Sequence, residues 1–338
     1  MISESNAALT SFLSFANPVK CARLIKIRTT DDLEEYFDEK EQKDFLILGG
    51  ASNILIIPEF LEKDILLIEL PGKDVVVSEK EYDLIEFGAG ENWHEVVLWS
   101  LNEGYGGLEN LSLIPGTVGA APIQNIGAYG VEIKDVLHSV RLFDLDSKKI
   151  FTLHNSECDF KYRDSIFKNS LKGSFVITSV TLKLSKQNHN INTSYGAILK
   201  EIGDEVINPV SISQAVVKIR NSKLPDPKVL GNSGSFFKNP IISIDQLERL
   251  QVSHPEIPFY PITSDETKAK VPAAWLIEQS GFKGKRFGDV GFYEKHALVL
   301  VNYAAASGAE LWEHAMRVQS SVLERFGIKL QPEVNLIQ

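Results

Sequence analysis

The chain has 338 residues, of which 43% are hydrophobic and 24% are charged, a composition typical of a globular protein with two or three domains. The formal net charge of −10 argues against nucleic-acid or anionic-membrane binding, so a local basic cluster must hold any anionic ligand. The sequence lacks a long apolar run and a signal-peptide pattern at its N-terminus. Cys21 and Cys158 lie far apart, which indicates reduced thiols, and we expect a cytoplasmic protein without an obligate protein partner.

The first 220 residues alternate predicted strands and helices after an irregular segment at 1–20. Helices are expected to begin at a capped turn at Thr30 and at Trp93, Tyr195 and Ser211. Strands are expected at residues 24–27, 45–48, 54–57, 74–77, 84–87, 139–143, 149–153 and 175–184.

The composition changes at residue 221, where two prolines make the segment 223–227 a rigid elbow. We place a domain boundary there. Beyond it, capping patterns predict helices after Ser243 and Ser307, the second ending at Gly327. A further helix is expected at 273–279, and strands are expected at 297–301 and 330–337.

Residues 114–130 form a stretch without helical or strand periodicity, and glycine, alanine and proline dominate it. Small residues let a ligand approach the backbone, and successive exposed N–H groups can bind an anion. A plain surface loop is the competing explanation, but so long an apolar loop inside a domain is usually functional. We therefore interpret the stretch as a cofactor-binding segment.

Two further glycine turns follow predicted strands. The turn at 49–53 places Ser52 and Asn53 at a sheet edge, where they could bind a phosphate. A plain tight turn is the alternative explanation. The turn at 88–90 resembles a dinucleotide-binding loop, but Trp93 stands where that pattern requires its third glycine. We reject that interpretation and attribute these glycines to close packing.

The densest basic cluster lies at residues 218–238, with five lysines or arginines and one acid, and it is the expected place for a phosphate-bearing substrate. The cluster runs into a turn that contains Ser235. Because no nucleophile elbow surrounds this serine, we expect it either to protonate a strongly basic intermediate or to be structural.

Two other side chains could stabilise or protonate an anionic intermediate. Arg163, in an aromatic setting, can bind a carboxylate or an enolate oxygen, and Glu333, in an apolar terminal strand, can handle a proton. An ordinary ion pair and an exposed edge charge are the respective alternatives. The histidines show no ligand spacing, so no metal site is expected.

Six motifs together resemble the UDP-N-acetylenolpyruvoylglucosamine reductases, the MurB family of flavoproteins in bacterial cell-wall precursor synthesis. The Tyr195-Gly196 segment is similar to the longer type of the family, in which a tyrosine loop closes over the substrate. The motifs occur in family order over almost the whole chain, at residues 48–53, 114–130, 162–168, 231–240, 274–279 and 332–334.

The resemblance implies an α+β fold with two FAD-binding lobes of the vanillyl-alcohol-oxidase (PCMH-like) type and a separate α+β substrate-binding domain. We expect lobe 1 at residues 1–70, joined by the C-terminal strand at 328–338. Lobe 2 is expected at 71–220 and the substrate-binding domain at 221–327.

The implied activity is the NADPH-dependent, FAD-mediated reduction of UDP-N-acetylglucosamine enolpyruvate to UDP-N-acetylmuramate for peptidoglycan. In the family, NADPH reduces bound FAD and leaves, and flavin N5 then delivers hydride to C3 of the substrate. Arg163 and Glu333 match the residues that stabilise the enolate-like charge, and Ser235 matches the serine that protonates C2. Ser233, where the family often has alanine, adds a second hydroxyl nearby.

The resemblance also implies binding residues. The implied substrate contacts are Tyr195, Lys223, Asn239, Tyr260, Lys270 and Lys283, the first three at the diphosphate and nucleotide. The implied FAD contacts are Gly49, Gly50, Ala51, Ser52, Asn53, Pro115, Gly116, Thr117, Val118, Gly119, Gln124, Asn125, Gly127, Ala128 and Tyr129.

Three questions stay open from the sequence. It does not decide which of the two glycine segments holds the FAD diphosphate and which lines the flavin ring. An FAD oxidase or dehydrogenase of the same fold is the alternative enzyme, although it would lack the basic cluster at 218–238. A non-catalytic flavin- or nucleotide-sugar-binding module would have no reason to combine Arg163, Ser235 and Glu333.

Overall fold

The computed structural model describes residues 1–38, 44–262 and 265–338. The chain divides into two compact units. Unit 1 comprises Met1–Ala7, Cys21–Ala51 and Leu61–Asn221, and unit 2 comprises Ala8–Lys20, Ser52–Phe60 and Ser222–Gln338. The division after Asn221 falls where the composition of the sequence changes.

The strands of the described residues are short, and most are antiparallel. In chain order they are β1 (Ile2–Ala8), β2 (Lys20–Ile27), β3 (Phe45–Leu48), β4 (Ile54–Ile56), β5 (Phe60–Ile68), β6 (Lys73–Ser78), β7 (Tyr82–Gly88), β8 (Gly127–Ala128), β9 (Val131–Glu132), β10 (Leu137–Asp144), β11 (Ile150–His154), β12 (Phe175–Ser185), β13 (Gly231–Ser235), β14 (Ile241–Ser243), β15 (Tyr260–Pro261), β16 (Lys268–Lys270), β17 (Arg286–Phe287), β18 (Val290–Phe292), β19 (Val299–Asn302) and β20 (Asn335–Ile337).

The α-helices of the same residues are α1 (Thr30–Asp38), α2 (Trp93–Asn102), α3 (Gly196–Ile202), α4 (Pro209–Lys223), α5 (Ile244–Ser253), α6 (Ala273–Gln279) and α7 (Gly308–Phe326). No helix in the described part of the chain is long and apolar enough to cross a membrane.

Unit 1 contains a sheet in the order β1-β2-β5-β3 and a second sheet in the order β11-β10-β12-β7-β6. In the first sheet β3 and β5 are parallel, and in the second the pairing is antiparallel. Val180 on β12 lies opposite both Val140 on β10 and Phe87 on β7, and all three side chains are buried on one face. This face is the core of unit 1.

Helix α2 connects this core to the segment that precedes the 114–130 stretch. Its first residue, Trp93, is buried, and the indole Nε1 donates to the carbonyl oxygen of Leu111 at 3.0 Å. Asn92 caps the helix, since its side chain accepts a hydrogen bond from the Glu95 N–H. The buried indole thus fixes where the stretch begins.

Unit 2 is built from a sheet in the order β13-β19-β18-β17, a sheet in the order β14-β16-β15 and the parallel pair β20-β4. The long helix α7 buries Leu311, Val318, Val322 and Phe326 along one stripe, as its sequence period predicts. Ser307 forms the predicted capping box with Glu310, and Gly327 ends the helix at a φ of 65°.

Some elements differ from the sequence-based expectation. The irregular assignment of 1–20 was wrong, because Ile2–Ala8 is a strand whose polar, mostly exposed residues show no alternation. The terminal strand is shorter than predicted, Asn335–Ile337, with a single bridge between Pro332 and Phe237 before it. Strand β5 escaped prediction because residues 65–68 are all buried and read as a continuous apolar run. The helix predicted from Thr30 is capped by Thr29, whose Oγ1 accepts from the Asp32 N–H.

Candidate functional site

The two predicted glycine segments of unit 1 pack directly against each other. A Cβ atom at Gly50 would lie 2.7 Å from the Gly116 Cα, and one at Gly49 would lie 2.5 Å from the Thr117 Oγ1. Neither position can hold a larger residue without displacing the neighbouring backbone or Thr117. The sequence does not decide which segment holds the FAD diphosphate and which lines the flavin ring. In the structure the two segments form one surface.

The turn at 88–90 packs against the second of these segments. The sequence pattern had excluded it as a dinucleotide-binding loop. The Gly119 N–H donates to the Ala89 carbonyl oxygen at 2.9 Å, and the Ala89 N–H donates to the Thr178 carbonyl oxygen at 3.0 Å. A Cβ at Gly88 would lie 2.4 Å from the Leu70 carbonyl oxygen. Close packing therefore accounts for this turn, as predicted.

The stretch at 114–130 is more ordered than a loop. It contains 3₁₀ turns at Val118–Ala120 and Pro122–Gln124, and β8 within it pairs with β9. Asn125 and Tyr129 adopt positive φ angles of 46° and 50°, which non-glycine residues rarely take. Such strained positions persist only where surrounding contacts enforce them.

Asn125 is fully buried, and its side chain forms the hydrogen bonds that hold its strained backbone in place. Its Nδ2 donates to the Glu132 Oε2 at 3.0 Å and to the Lys161 carbonyl oxygen at 3.1 Å, while its Oδ1 accepts from the Lys134 N–H at 3.3 Å. The side chain is engaged inside unit 1, so any role of Asn125 toward a ligand comes through the shape of the stretch.

Arg163 lies against the same stretch. Its Nη2 donates to the Gly127 carbonyl oxygen at 2.7 Å, and its guanidinium lies 5.5 Å from the centre of the Tyr162 ring. Its own φ is 54°, another strained position. The structure thus fixes a permanent positive charge beside residues predicted to bind the cofactor.

Arg220, at the end of α4, is a residue that the sequence reasoning counted only as part of a basic cluster. Its Nε is buried and has no hydrogen-bond partner among the described residues. Burial lowers the pKa of its guanidinium, with a further lowering by Arg163, whereas Tyr129 acts in the opposite direction. Two guanidinium groups therefore share one region of unit 1. Clustering of the basic residues in the sequence was the signal, but it could not single out this one.

His94 anchors the entry to the stretch. Its Nδ1 accepts a hydrogen bond from the Leu113 N–H at 3.0 Å, and Leu113 has a positive φ of 58°. Burial lowers the pKa of His94, Glu95 acts in the opposite direction, and Arg220 lowers the pKa further, so the environment favours the neutral ring that accepts this bond. The sequence pattern gave no sign of this role, because the acceptor and the donor lie 19 residues apart.

The Thr117 hydroxyl adds an unused polar atom to this surface. Its Oγ1 is buried and lacks a hydrogen-bond partner within the described part of the chain. Of the other predicted cofactor residues of the stretch, Val118 and Gln124 lie on the 3₁₀ turns and Ala128 lies on β8, whereas Pro115 precedes the first turn. Tyr195 lies in unit 1 as well, with its ring centre 5.0 Å from that of Tyr129.

Ser235 lies at the end of β13 in unit 2, in a turn held by Asn232. The Asn232 Nδ2 donates to the carbonyl oxygens of Pro225 and Leu230 at 3.1 and 2.8 Å, and its Oδ1 accepts from the Gly234 N–H at 3.0 Å. Ser235 is half-buried, whereas the Ser233 Oγ is buried and has no hydrogen-bond partner among the described residues. A ligand can reach Ser235 more readily than Ser233.

Glu333 lies on the backbone segment next to that turn. Its N–H donates to the Phe236 carbonyl oxygen at 2.8 Å, and its own carbonyl oxygen accepts from the Asn53 Nδ2 at 3.3 Å. The Ser52 carbonyl oxygen accepts from the Ser14 Oγ at 3.2 Å. Unit 2 therefore brings together Ser235, Glu333 and the end of the 49–53 turn, although these residues are distant in sequence.

The predicted substrate residues of unit 2 form two groups. Lys223 and Lys283 both lower the pKa of His296, for which burial is the larger cause, so the two ammonium groups lie near the same imidazole. Tyr260 and Lys270 are cross-strand neighbours on β15 and β16. The remaining residue, Asn239, uses its Oδ1 to accept from the Ala273 N–H at the start of α6, at 2.9 Å.

The described residues include neither a metal-ligand cluster nor a reactive thiol. No group of three or more His, Cys, Asp or Glu residues in the described ranges could hold a metal ion. Burial raises the pKa of Cys21 to about 11 and that of Cys158 to about 12, which leaves both thiols unreactive.

Two family models match the chain. Residues 22–153 match an FAD binding domain, and residues 226–337 match the C-terminal domain of UDP-N-acetylenolpyruvoylglucosamine reductase. Among solved structures, the UDP-N-acetylenolpyruvylglucosamine reductase (MurB) from Thermus caldophilus shares the fold, with a TM-score of 0.70 over 100% of this chain and 98% of that chain at 20% identity. The predicted α+β, FAD-binding fold is confirmed.

Relatives of established name match over nearly the full length. The chain is 47% identical over 337 residues to the UDP-N-acetylenolpyruvoylglucosamine reductase of Flavobacterium johnsoniae, covering 99% of each chain. It is 45% identical over 336 residues to the reductase of that name from Dechloromonas aromatica, covering 98% of each. The chain belongs to the UDP-N-acetylenolpyruvoylglucosamine reductase family.

Proposed function

We propose that this protein reduces UDP-N-acetylglucosamine enolpyruvate to UDP-N-acetylmuramate, with FAD as its bound cofactor and NADPH as the hydride donor. The observation that carries the proposal is the full-length match to reductases of this name. Arg163 is held by the Gly127 carbonyl oxygen, and Ser235 and Glu333 lie on neighbouring segments.

The residues of unit 1 fit an anionic cofactor. Gly50 leaves no room for a side chain, because its Cβ would lie 2.7 Å from the Gly116 Cα, and the Thr117 Oγ1 next to Gly116 is buried without a hydrogen-bond partner among the described residues. Arg163 and Arg220 supply positive charge, and the Arg220 Nε is a buried donor that lacks a partner among the described residues. These residues would hold FAD.

The chemistry divides between the cofactor and three side chains. When bound, FAD supplies the hydride that adds to C3 of the enolpyruvyl group. Arg163 stabilises the substrate carboxylate and the negative charge that develops toward C2. Ser235 gives its hydroxyl proton to C2, so that one hydride and one proton complete the addition across the double bond. Glu333 hydrogen-bonds to the enolic form.

The sugar nucleotide would be held by the remaining predicted residues. Lys223 and Lys283, which both act on His296, supply positive charge for the diphosphate. Tyr260 offers a ring on which a base can stack, with Lys270 next to it on the neighbouring strand. Tyr195 and Asn239 complete the proposed contacts to the diphosphate and nucleotide.

The proposal also covers the localisation of the enzyme and its binding partners. A net charge of −10 and two buried free thiols favour a cytoplasmic enzyme that acts on a small molecule without nucleic acid, membrane or obligate protein partner. The division into lobes at 1–70 and 71–220 and a substrate domain at 221–327 remains part of the proposal.

Visible absorbance of the purified protein tests this function directly. We expect a flavin spectrum that bleaches when NADPH is added without oxygen and returns when the enolpyruvyl sugar nucleotide follows. Rapid return with oxygen and slow return with the sugar nucleotide would indicate an FAD oxidase or dehydrogenase instead. A colourless protein that takes up no FAD would contradict both enzymes.

A further inference from the structure

A buried asparagine of unit 1 bridges two segments that are far apart in sequence. Asn110 is 1% exposed, and its Nδ2 donates to the Tyr129 carbonyl oxygen at 3.0 Å and to the Asn192 carbonyl oxygen at 2.9 Å. Tyr129 belongs to the stretch proposed to bind FAD. Asn192 belongs to residues 188–195, here called the tyrosine loop because it ends at Tyr195.

Side chains of the tyrosine loop also form hydrogen bonds, both to the cofactor-binding stretch and within the loop. The Asn192 Nδ2 donates to the Gly130 carbonyl oxygen at 3.0 Å, and the Asn192 Oδ1 accepts from the N–H and Oγ of Ser194 at 3.0 and 2.7 Å. A Cβ at Gly130 would lie 2.8 Å from the Ser194 Oγ, so the side chain of Ser194 packs closely against the Gly130 backbone. Side chains of both Asn192 and Ser194 therefore hold the tyrosine loop against Gly130.

These bonds determine where Tyr195 lies. Its ring packs edge-on against the Tyr129 ring, with the centres 5.0 Å apart and the planes at 88°. Tyr195 is nevertheless 44% exposed, so its ring remains accessible to a ligand. Tyr129 itself is strained, with a φ of 50°, and its position depends on the surrounding contacts.

We propose that Asn110 is a positioning residue that couples the tyrosine loop to the cofactor-binding stretch. This inference rests on the proposed function. A cofactor that orders Tyr129 also orders Asn192 through the shared amide, and so it places Tyr195 before the substrate arrives. Without the bridge, the substrate has to order the loop itself, and the loss appears in KM rather than in kcat.

Asn110→Asp tests the coupling, since it conserves shape and removes both N–H donors. For the FAD-saturated variant we expect a KM for the enolpyruvyl sugar nucleotide about tenfold above that of the unchanged protein, with kcat within about twofold. Hydrogen exchange of the amides at 192–195 gives a readout without substrate. FAD should slow this exchange in the unchanged protein and leave it fast in the variant.

Asn155→Asp is the matched control. The Asn155 Nδ2 also bridges two carbonyl oxygens of unit 1, those of Lys134 and Leu137, at 2.6 and 2.7 Å. We expect no change in KM or in loop exchange for this variant. Asn110→Ala removes the same two donors without placing a carboxyl group in the core, and it should reproduce the higher KM even if Asn110→Asp does not fold.

The coupling is wrong if a folded Asn110→Asp or Asn110→Ala keeps the original KM and the original FAD-dependent exchange. An equal rise in KM for Asn155→Asp would also overturn it, because general destabilisation would then explain the effect. Failure of the proposed function looks different. The unchanged protein would not turn over the sugar nucleotide, while the effect of FAD on loop exchange could still be measured.

Discussion

Two serines on the same strand differ in what they can reach. Ser235 is half-buried at the end of β13, whereas the Ser233 Oγ is buried without a hydrogen-bond partner in the described chain. The sequence left both as possible proton donors, because it shows two hydroxyls two positions apart and not their exposure. Burial makes Ser235 the better candidate.

Ser235→Ala is expected to slow reoxidation of the reduced flavin by the sugar nucleotide about a thousandfold, because no proton reaches C2. Reduction of the flavin by NADPH should proceed at its original rate. Stopped-flow absorbance separates the two half-reactions. Ser233→Ala is the control, and it should change either rate by no more than about threefold, since it removes only an unsatisfied hydroxyl. The opposite pattern would transfer the role to Ser233.

His314 is a buried residue with no assigned part in the chemistry. It is 3% exposed on α7, its Nε2 has no hydrogen-bond partner among the described residues, and it packs against the rings of Phe282, Phe287 and Phe292. Burial lowers its pKa to about 4, with a smaller effect of Arg317. The neutral ring therefore behaves as one more core aromatic.

His314 should make folding sensitive to acid. Its pKa falls from about 6.5 in the unfolded chain to about 4 in the fold, so the unfolded chain binds the proton more readily between these values. The contribution of His314 to the free energy of unfolding is fully present above about pH 6.5. It is lost as the pH falls toward 4, by about 3 kcal/mol in total. Urea unfolding at several pH values measures this loss. In His314→Leu the loss should be smaller by that amount, and an unchanged slope would contradict the assignment.

At the scale of elements, the sequence was most informative where its signals are local. The caps at Ser243 and Ser307, the stripe on α7 and the hairpin of β10 and β11 all depend on residues near one another in the chain. Strands β1 and β5 were missed because one is polar and exposed and the other is buried on both faces. Neither shows the alternation by which strands are recognised.

The contact between the two glycine segments leads to a prediction about FAD. In Gly50→Ala the new methyl would lie 2.7 Å from the Gly116 Cα and force the segments apart. We expect FAD affinity to fall at least tenfold and the free energy of unfolding to fall by about 1–3 kcal/mol. Flavin fluorescence titration and thermal unfolding give the two values.

Gly196→Ala is the matched control for that change. A Cβ at Gly196 meets nothing within 4 Å, and the residue begins α3, where alanine suits the helix. FAD affinity should stay unchanged, and stability should be equal or slightly higher. Equal FAD binding by Gly50→Ala and the unchanged protein would show that the close contact does not shape the cofactor site.

Over the whole molecule, charge is unevenly distributed. The chain carries −10 overall, yet Lys223 and Lys283 both lie near His296 in unit 2, and Arg163 and Arg220 lie in one region of unit 1. A dianionic diphosphate is repelled by the average charge and attracted by these local groups. Binding of the sugar nucleotide should therefore depend on salt.

We expect the KM for the sugar nucleotide to rise severalfold between about 0.02 and 0.2 M salt, because exposed charges are screened over this range. Lys223→Met should raise KM at low salt and flatten this dependence. Steady-state kinetics at several salt concentrations measure both effects. Lys329→Met removes an exposed charge that has no proposed role and should leave the salt dependence intact. Parallel salt curves for Lys223→Met and the unchanged protein would exclude a role for Lys223.

The sequence alone determined the family motifs, the helices and about half of the strands, because each of these depends on residues that are neighbours in the chain. The tertiary structure decided which of these residues act together. Gly50 meets Gly116, Glu333 meets Phe236, and Asn110 joins Tyr129 to Asn192 only when distant segments pack. Periodicity and spacing encode local geometry, whereas burial, close approach and shared hydrogen bonds depend on the folded chain.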